Sequence, residues 1–219
     1  RRPRPFILPT GMPQAAAHAP AAPAGPHILP DPGVQGEQVV FFIRHAEAEH
    51  NAQADYTIRD PPLTARGAHQ AEQLAKHPLL RAQPVELVVS SPLRRALQTA
   101  VRAFPRTQAG AAPIVAHPDA QEVGDDPSDT GWGRATLVAE FGPAADLGLV
   151  PEHYHRKRAP GKPARGGDPE EDGRKALRAR LDRLSAWLQA RPERTIALVA
   201  HHGVFGHLPG APLELAHPE

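Results

Sequence analysis

The amino-acid sequence predicts an α/β protein of three layers, in which helices cover both faces of a mostly parallel, doubly wound sheet. Short runs of β-branched and aromatic residues, apolar at every position, are typical of strands that are buried on both faces. Segments with an apolar residue every three or four positions follow most of these runs and predict helices. Because strands and helices alternate along the chain, we expect right-handed crossovers between parallel strands.

The chain of 219 residues is predicted to comprise a disordered arm, residues 1–36, and a single globular domain, residues 37–219. The arm holds 9 of the 27 prolines and has no helical or alternating apolar pattern, so it cannot bury enough surface to offset the entropy lost on ordering. A transit peptide is the alternative, because the arm contains arginines and few acids. The arm lacks serines and an amphipathic pattern, which favours disorder.

The first strand of the domain is predicted over residues 39–43, which are all apolar. Such a strand should lie in the centre of the sheet. Arg44 and His45 follow it directly. Because burial of these side chains inside the sheet would be costly, we expect them just beyond the carboxyl end of the strand, where open α/β sheets bind ligands.

The next elements repeat the order of strand, tight turn and helix. Thr64 is predicted to be the N-cap of a helix that ends near Pro78. A second strand is predicted over residues 85–89, and Ser91 is expected to cap a helix whose first position is proline. Arg95 lies in the first turn of that helix, near the carboxyl end of the preceding strand.

The C-terminal half continues the alternation and ends with a second histidine site. His201 follows the last predicted strand just as His45 follows the first. In order, the sequence predicts a strand over 113–116, one or two short helices within 132–155, a loop over 159–173, a helix carrying leucines from Leu177 to Leu188, and a strand over 195–200.

Composition excludes several kinds of site. The net charge is +1, which gives no argument for nucleic acid or an anionic membrane surface as a partner. The absence of cysteine excludes disulfides and cysteine nucleophiles. No apolar stretch approaches the roughly 20 residues that a membrane-spanning helix needs, so we expect a soluble, cytoplasmic protein. The oligomeric state is not indicated.

The residues at the strand ends predict a phosphate site. Two strand ends carry histidine, one of them also carries Arg44, and a helix start carries Arg95. Paired guanidinium groups suit a dianionic phosphoryl group, because each donates hydrogen bonds in a planar fork. The chain has no glycine-rich phosphate loop, so side chains would have to hold the phosphate. The histidines His153, His155, His202 and His207 offer a metal site as the alternative, but with no carboxylate at fixed spacing, surface roles are favoured, and neither a metal nor a cofactor is expected.

Four ordered motifs resemble those of the histidine phosphatase superfamily, also called phosphoglycerate mutase-like, over about residues 38–208. The family usually has glycine where this chain has Ala46. The acid-bearing segment 121–131 is similar to that of a branch common in fungi and plants. The motifs are Arg44-His45-Ala46-Glu47 with Asn51, Pro62-Leu63-Thr64-Ala65-Arg66-Gly67, Ser90-Ser91-Pro92-Leu93-Arg94-Arg95-Ala96, and Val199-Ala200-His201-His202-Gly203.

The resemblance implies a catalytic domain with a role for each matching residue. His45 would be the nucleophile, and Glu122 would be the proton donor. Arg44, Arg95 and His201 would form the phosphate pocket, and Asn51 would be an accessory substrate contact. Neighbouring helix residues point about 100° apart, so only one of Arg94 and Arg95 should face the pocket, and Arg95 is the expected one. Other acids lie in comparable loops, where exposure to solvent is the ordinary explanation for a carboxylate. They are Glu47, Asp125, Asp126 and Asp129.

Three functions agree with these residues. The first is hydrolysis of small phosphomonoesters through a phosphohistidine on His45. The second is phosphoryl transfer of the phosphoglycerate mutase type. It differs from hydrolysis in that a phosphorylated acceptor stays bound and water does not take its place. The third is a phosphate-binding scaffold without catalysis, which the full set of site residues disfavours.

Overall fold

The computed structural model describes residues 6–7, 38–105, 110–155 and 169–208. Within these ranges the chain forms five strands and seven α-helices, with short 3₁₀ turns at Pro118–Ala120 and Pro127–Asp129. The elements are β1 (Phe6–Ile7), β2 (Val39–Arg44), α1 (Glu49–Gln53), α2 (Ala65–Leu74), α3 (Pro78–Ala82), β3 (Leu87–Ser90), α4 (Arg94–Ala103), β4 (Ile114–Ala116), α5 (Arg134–Phe141), α6 (Pro169–Gln189), β5 (Thr195–Ala200) and α7 (His202–His207).

The sheet has the strand order β1-β2-β5-β3-β4, and the four strands from β2 to β4 in this order are parallel. Alternate residues of β5 enter different cores: Ala197 and Val199 pack with α4 and α5, whereas Ile196 and Leu198 pack with α6 and α7. Helices therefore cover both faces of the sheet, which explains why the strands are apolar at every position. The predicted α/β class with a mostly parallel sheet is confirmed.

Helix boundaries differ from the prediction near Pro78 and within the predicted loop over 159–173. The helix after Thr64 ends at Leu74, and Pro78 begins the short helix α3 instead of lying near the end of the preceding helix. Proline has no N–H to lose at the first position of a helix, so it also starts helices. The second difference is that residues 169–173 of the predicted loop belong to α6. Residues 156–168 lie outside the described part of the chain.

The arm contributes one element to the sheet. Phe6 and Ile7 pair with Val40 and Val39 of β2 in antiparallel register, at the edge of the sheet. The other residues of the arm up to residue 37 lie outside the described ranges, so the predicted disorder and the domain boundary stay predictions. Within the described ranges, no helix is both long enough and apolar enough to cross a membrane.

The register of the central strands brings the predicted site residues to one edge of the sheet. Arg44 pairs with Ala200 across β2 and β5, and Ser90 pairs with Val199 across β3 and β5. The amide of His45 then donates to the carbonyl of Ala200 (3.0 Å). All three strands thus end at the same level, and the residues that follow them share one crevice.

Candidate active site

Two histidines meet at this crevice. The ring centroids of His45 and His201 lie 5.1 Å apart, and both side chains are buried. Nε2 of His201 lies 2.8 Å from the hydroxyl of Ser91, the residue that follows β3. Ser91 also accepts the Leu93 amide (3.2 Å). Each of the three strand ends therefore contributes one residue to a connected group.

The tautomer of His45 follows from its backbone contact. Nδ1 lies 2.8 Å from the carbonyl of Ala46, and because a carbonyl can only accept, Nδ1 carries the proton. The lone pair is then on Nε2, which receives the Nε–H of Arg95 (3.2 Å). Burial, and then the charges of Arg95 and Arg44, hold the pKa of His45 well below its ordinary value of 6.5. His45 is thus a neutral imidazole with its Nε2 lone pair in the crevice.

Arg95 is held from three sides. Besides the contact to His45, its Nη1 donates to the carbonyl of Ser128 (2.5 Å), and its Nη2 forms an ion pair with Asp129 (3.0 Å). The side chain is 1% exposed. Arg94 instead turns outward and pairs with Glu140 (2.9 Å). The structure thus places Arg95, and not Arg94, beside His45, and the two side chains point apart as the 100° step between helix residues requires.

Arg44 and Asn51 lie in β2 and α1, the two elements that flank His45 in the chain. The charge of Arg44 contributes to the lowered pKa of both His45 and His50. Asn51 is half buried, and its Oδ1 accepts the amide of Ala48 (3.1 Å). The ring centroids of His45 and His50 lie 6.0 Å apart, so α1 lies beside the same crevice.

Glu122 reaches the site from the loop after β4. Its Oε1 accepts the backbone N–H of the next residue, Val123 (2.8 Å). Its Oε2 faces the amide of Gly203 (3.4 Å) at the start of α7. A Cβ at Gly203 would collide with this carboxylate, so glycine allows the close approach. The Glu122 charge also acts on Arg95. The carboxylate thus lies beside the segment that follows β5 and carries His201.

The other acids considered from the sequence have different contacts. Glu47 accepts the hydroxyl of Thr64 (2.7 Å), the N-cap of α2, and Asp129 pairs with Arg95. Asp125 and Asp126 are exposed. Asp129 is thus engaged as the ion-pair partner of Arg95, and Glu47 as a partner of the α2 N-cap.

Asp60 is a site residue that the sequence analysis missed. It is fully buried, accepts the amide of Arg94 (2.9 Å) and that of Trp132 (3.3 Å), and so fixes the start of α4 and the segment after Asp129. The prediction that Ser91 caps this helix, with proline at its first position, was wrong: α4 begins at Arg94 after the N-cap residue Leu93, and the Arg94 amide donates to Asp60. Burial raises the pKa of Asp60 to about 6, although the Arg94 amide and the Arg95 charge oppose the rise.

Thr99 is a second missed residue. Its hydroxyl donates to the carbonyl of Arg95 (2.8 Å) and accepts the amide of Ala46 (3.1 Å). One hydroxyl therefore links the residue after His45 to the helix turn that carries Arg95. Thr99 lies one turn beyond Arg95, a spacing that places both on one helix face, but the contact to Ala46 has no local sequence signal.

In the part of the chain that the structure describes, no three histidine, aspartate or glutamate side chains are placed to hold a metal ion. The rings of His153 and His155 lie 6.2 Å apart, and Nδ1 of His207 lies 2.8 Å from the carbonyl of Gly203. His202 is exposed.

Comparison with known proteins identifies the family to which this site belongs. Residues 40–215 match the histidine phosphatase superfamily, branch 1. The chain belongs to this superfamily. It is thus a histidine-type phosphatase by family, as the ordered motifs predict, and the matched range includes both strand-end histidines and both arginines.

Similar proteins are named either as phosphoglycerate mutase-like proteins or as phosphatases. Phosphoglycerate mutase-like protein 1 of Arabidopsis thaliana is 26% identical, over 83% of this chain and 74% of the relative. A solved structure of a candidate alpha-ribazole-5'-P phosphatase from Escherichia coli is 26% identical, with a TM-score of 0.50 over 81% of this chain and 80% of that one. The ecdysone phosphate phosphatase from Bombix mori, solved with tungstate, shares the fold at 15% identity, with a TM-score of 0.51 over 78% and 76% of the two chains.

Proposed function

We propose that this phosphatase hydrolyses small phosphomonoesters through a phosphohistidine on Nε2 of His45. The observation that carries the proposal is the tautomer of this histidine. The Ala46 carbonyl holds the proton on Nδ1, and the lowered pKa keeps the ring neutral, so the lone pair is on Nε2. In the free enzyme this lone pair accepts the Nε–H of Arg95, which turns to a phosphate oxygen when the substrate binds. A neutral imidazole is the form that can attack phosphorus.

The first step transfers the phosphoryl group. Nε2 of His45 attacks phosphorus, an N–P bond forms, and the bond from phosphorus to the leaving oxygen breaks. Arg95 and Arg44 stabilise negative charge on the equatorial oxygens, and His201 and Asn51 are further contacts to them. Because Arg95 is already held by Asp129 and Ser128, little side-chain entropy has to be lost when the phosphate binds.

The second step returns the enzyme to its resting form. In the first step Glu122 gives its proton to the leaving oxygen, and its carboxylate then takes a proton from water as the water oxygen attacks phosphorus. The N–P bond breaks, inorganic phosphate leaves, and His45 regains its lone pair. Glu122 is supported in this role by the effect of its charge on Arg95.

The test is covalent labelling of the protein during turnover. Wild-type protein, stopped with base during hydrolysis of a ³²P-labelled monoester, should carry acid-labile, base-stable label that maps to His45. His45→Ala should carry none, whereas His202→Ala, which changes an exposed histidine, should label normally. Label at any other residue in the wild type would overturn the proposal.

The same experiment separates the alternatives. A mutase would pass its label to a monophosphoglycerate rather than to water, and a scaffold would neither label nor release phosphate. Activity should also persist in EDTA, because the arginines supply the positive charge that a metal otherwise provides. A loss that magnesium or zinc restores would favour a metal-dependent hydrolase.

A small phosphorylated metabolite is the proposed substrate, in line with the named substrates of the structural relatives. We propose a cytoplasmic location as well. A screen of phosphorylated metabolites tests the first proposal, and imaging of a fluorescent fusion tests the second.

A further inference from the structure

His50 is a buried histidine beside the site that the mechanism above does not use. It is 4% exposed, and its ring centroid lies 6.0 Å from that of His45 and 5.7 Å from that of Tyr56. Nε2 of His50 lies 3.1 Å from the side-chain amide of Asn51. The contacts of Asn51 determine what this histidine does.

The amide of Asn51 can have only one orientation. Its Oδ1 accepts the backbone N–H of Ala48 (3.1 Å), and because a backbone N–H can only donate, the oxygen must be on that side. The NH₂ group is then the one that faces His50. An NH₂ group can only donate, so Nε2 of His50 has to accept and the proton of this ring has to be on Nδ1.

The surroundings of His50 keep it in this form. Burial, and then the charges of Arg95 and Arg44, lower its pKa from 6.5 to about 4. Protonation would add a third positive charge beside the arginines and would remove the acceptor that Asn51 uses. Nδ1 of His50 is buried without a hydrogen-bond partner among the described residues, so this arrangement costs stability.

From these contacts we propose that His50 is a positioning residue, which, as a neutral acceptor, fixes the Asn51 amide so that Asn51 presents a single N–H donor to the substrate phosphate. With one amide hydrogen given to His50, the second hydrogen is the only donor that Asn51 has left. Its NH₂ group can then bind an acceptor oxygen, such as a phosphate oxygen, but cannot accept from a substrate hydroxyl. This inference rests on the proposed function only in naming phosphate as the group that Asn51 contacts.

Nitrogen NMR on the wild-type protein tests the tautomer without any reaction. We expect the His50 ring to show a protonated Nδ1 and an unprotonated Nε2 from pH 5 to pH 8. The chain has 13 histidines, so the spectrum of His50→Gln assigns the signals by difference. A proton on Nε2, or titration near pH 6.5, would overturn the proposal.

A double-mutant cycle tests the route through Asn51. His50→Phe keeps a ring but removes the acceptor, and Asn51→Ala removes the amide. Each should weaken orthovanadate binding and raise KM by about 5- to 10-fold, the scale of one neutral hydrogen bond, with little change in kcat. Because both changes break the same contact, His50→Phe should add almost nothing to Asn51→Ala.

His50→Gln provides the rescue, because its side-chain oxygen can accept from Asn51, and it should recover most of the vanadate affinity. Losses that multiply in the double variant would show that His50 acts by packing alone and would overturn the proposal. Failure of the proposed function is distinguishable: an unlabelled His45 would refute the phosphohistidine, whereas the His50 tautomer and the vanadate cycle do not depend on turnover.

Discussion

Arg95 and Asp129 form an ion pair of 3.0 Å at the active site, in which the guanidinium is 1% exposed and the carboxylate 13%. A charge buried to this degree needs a partner, since an unpaired buried cation is costly. In the free enzyme, the carboxylate of Asp129 is the partner of the Arg95 guanidinium. The pair therefore ties the loop after Asp126 to α4, the helix that carries Arg95.

Removal of this partner should destabilise the free enzyme more than the phosphate complex. We expect Asp129→Asn to lower the free energy of unfolding by about 1–3 kcal/mol. A bound phosphate is itself a dianion beside Arg95, so saturating phosphate should restore part of the loss. Urea unfolding with and without phosphate measures both effects. Asp126→Asn, on an exposed site of the same loop, is the control and should change neither.

The contrast between Arg95 and Arg94 allows a matched test of the pocket. Arg95→Lys keeps the charge but loses the planar fork that contacts His45, Ser128 and Asp129. We expect kcat/KM for p-nitrophenyl phosphate to fall by roughly 10²-fold, the usual scale for loss of one preorganised donor. Arg94→Lys changes a surface ion pair with Glu140 and should stay within about twofold of wild type. Equal losses in the two variants would contradict the assignment.

Much of this site could be predicted from sequence because its main residues follow directly from local elements. A buried strand that ends in Arg44 and His45 has one favourable place for these side chains, and the helix period alone predicts that Arg94 and Arg95 cannot both face it. Asp60 could not be predicted in this way. Its partners Arg94 and Trp132 lie 34 and 72 positions away, and a contact of that span leaves no periodic signal.

The missed helix boundary at Pro78 has a local cause. Proline both ends and begins helices, and Pro78 begins one here. The role of His50 could not be predicted from the sequence either. Its place beside Asn51 in the chain is visible, but its role depends on the Ala48 amide, which fixes the Asn51 side chain only once α1 has formed.

Asp60 should make stability depend on pH. Its pKa rises from 3.8 to about 6 on folding, so the folded state binds more protons than the unfolded state between these values. Asp60 therefore contributes its full share of the free energy of unfolding below pH 3.8. This share, about 3 kcal/mol, is lost as the pH rises through 6.

The comparison with Asp60→Asn isolates this contribution, because His45 and His50 titrate in both proteins. The free energy of unfolding of the wild type, minus that of the variant, should decrease from pH 4 to pH 8 by about 2.5 kcal/mol. Urea unfolding at several pH values measures it. A difference that stays constant with pH would contradict the buried, proton-binding carboxyl group.

Gly67 should be required by the close approach of α2 to the loop after His45. A Cβ at this position would overlap the carbonyl of Glu47, which is backbone and cannot move aside easily. We expect Gly67→Ala to lower the free energy of unfolding by about 1–3 kcal/mol. Gly173 is exposed in α6 with open space around it, so Gly173→Ala should stabilise the protein by about 0.5–1 kcal/mol. Thermal unfolding of both variants measures the contrast.

The proton donor can be identified from the leaving group. If Glu122 protonates the leaving oxygen, Glu122→Gln should slow hydrolysis of alkyl phosphates by roughly 10²-fold or more, because a basic alkoxide leaves poorly without a proton. p-Nitrophenolate needs little help, so p-nitrophenyl phosphate should be affected much less. Asp129→Asn should instead slow both substrates alike, because Asp129 acts on Arg95 and not on the leaving oxygen. Should Asp129→Asn show the leaving-group dependence and Glu122→Gln not, Asp129 would be the acid, although phosphorylation of His45 would stand.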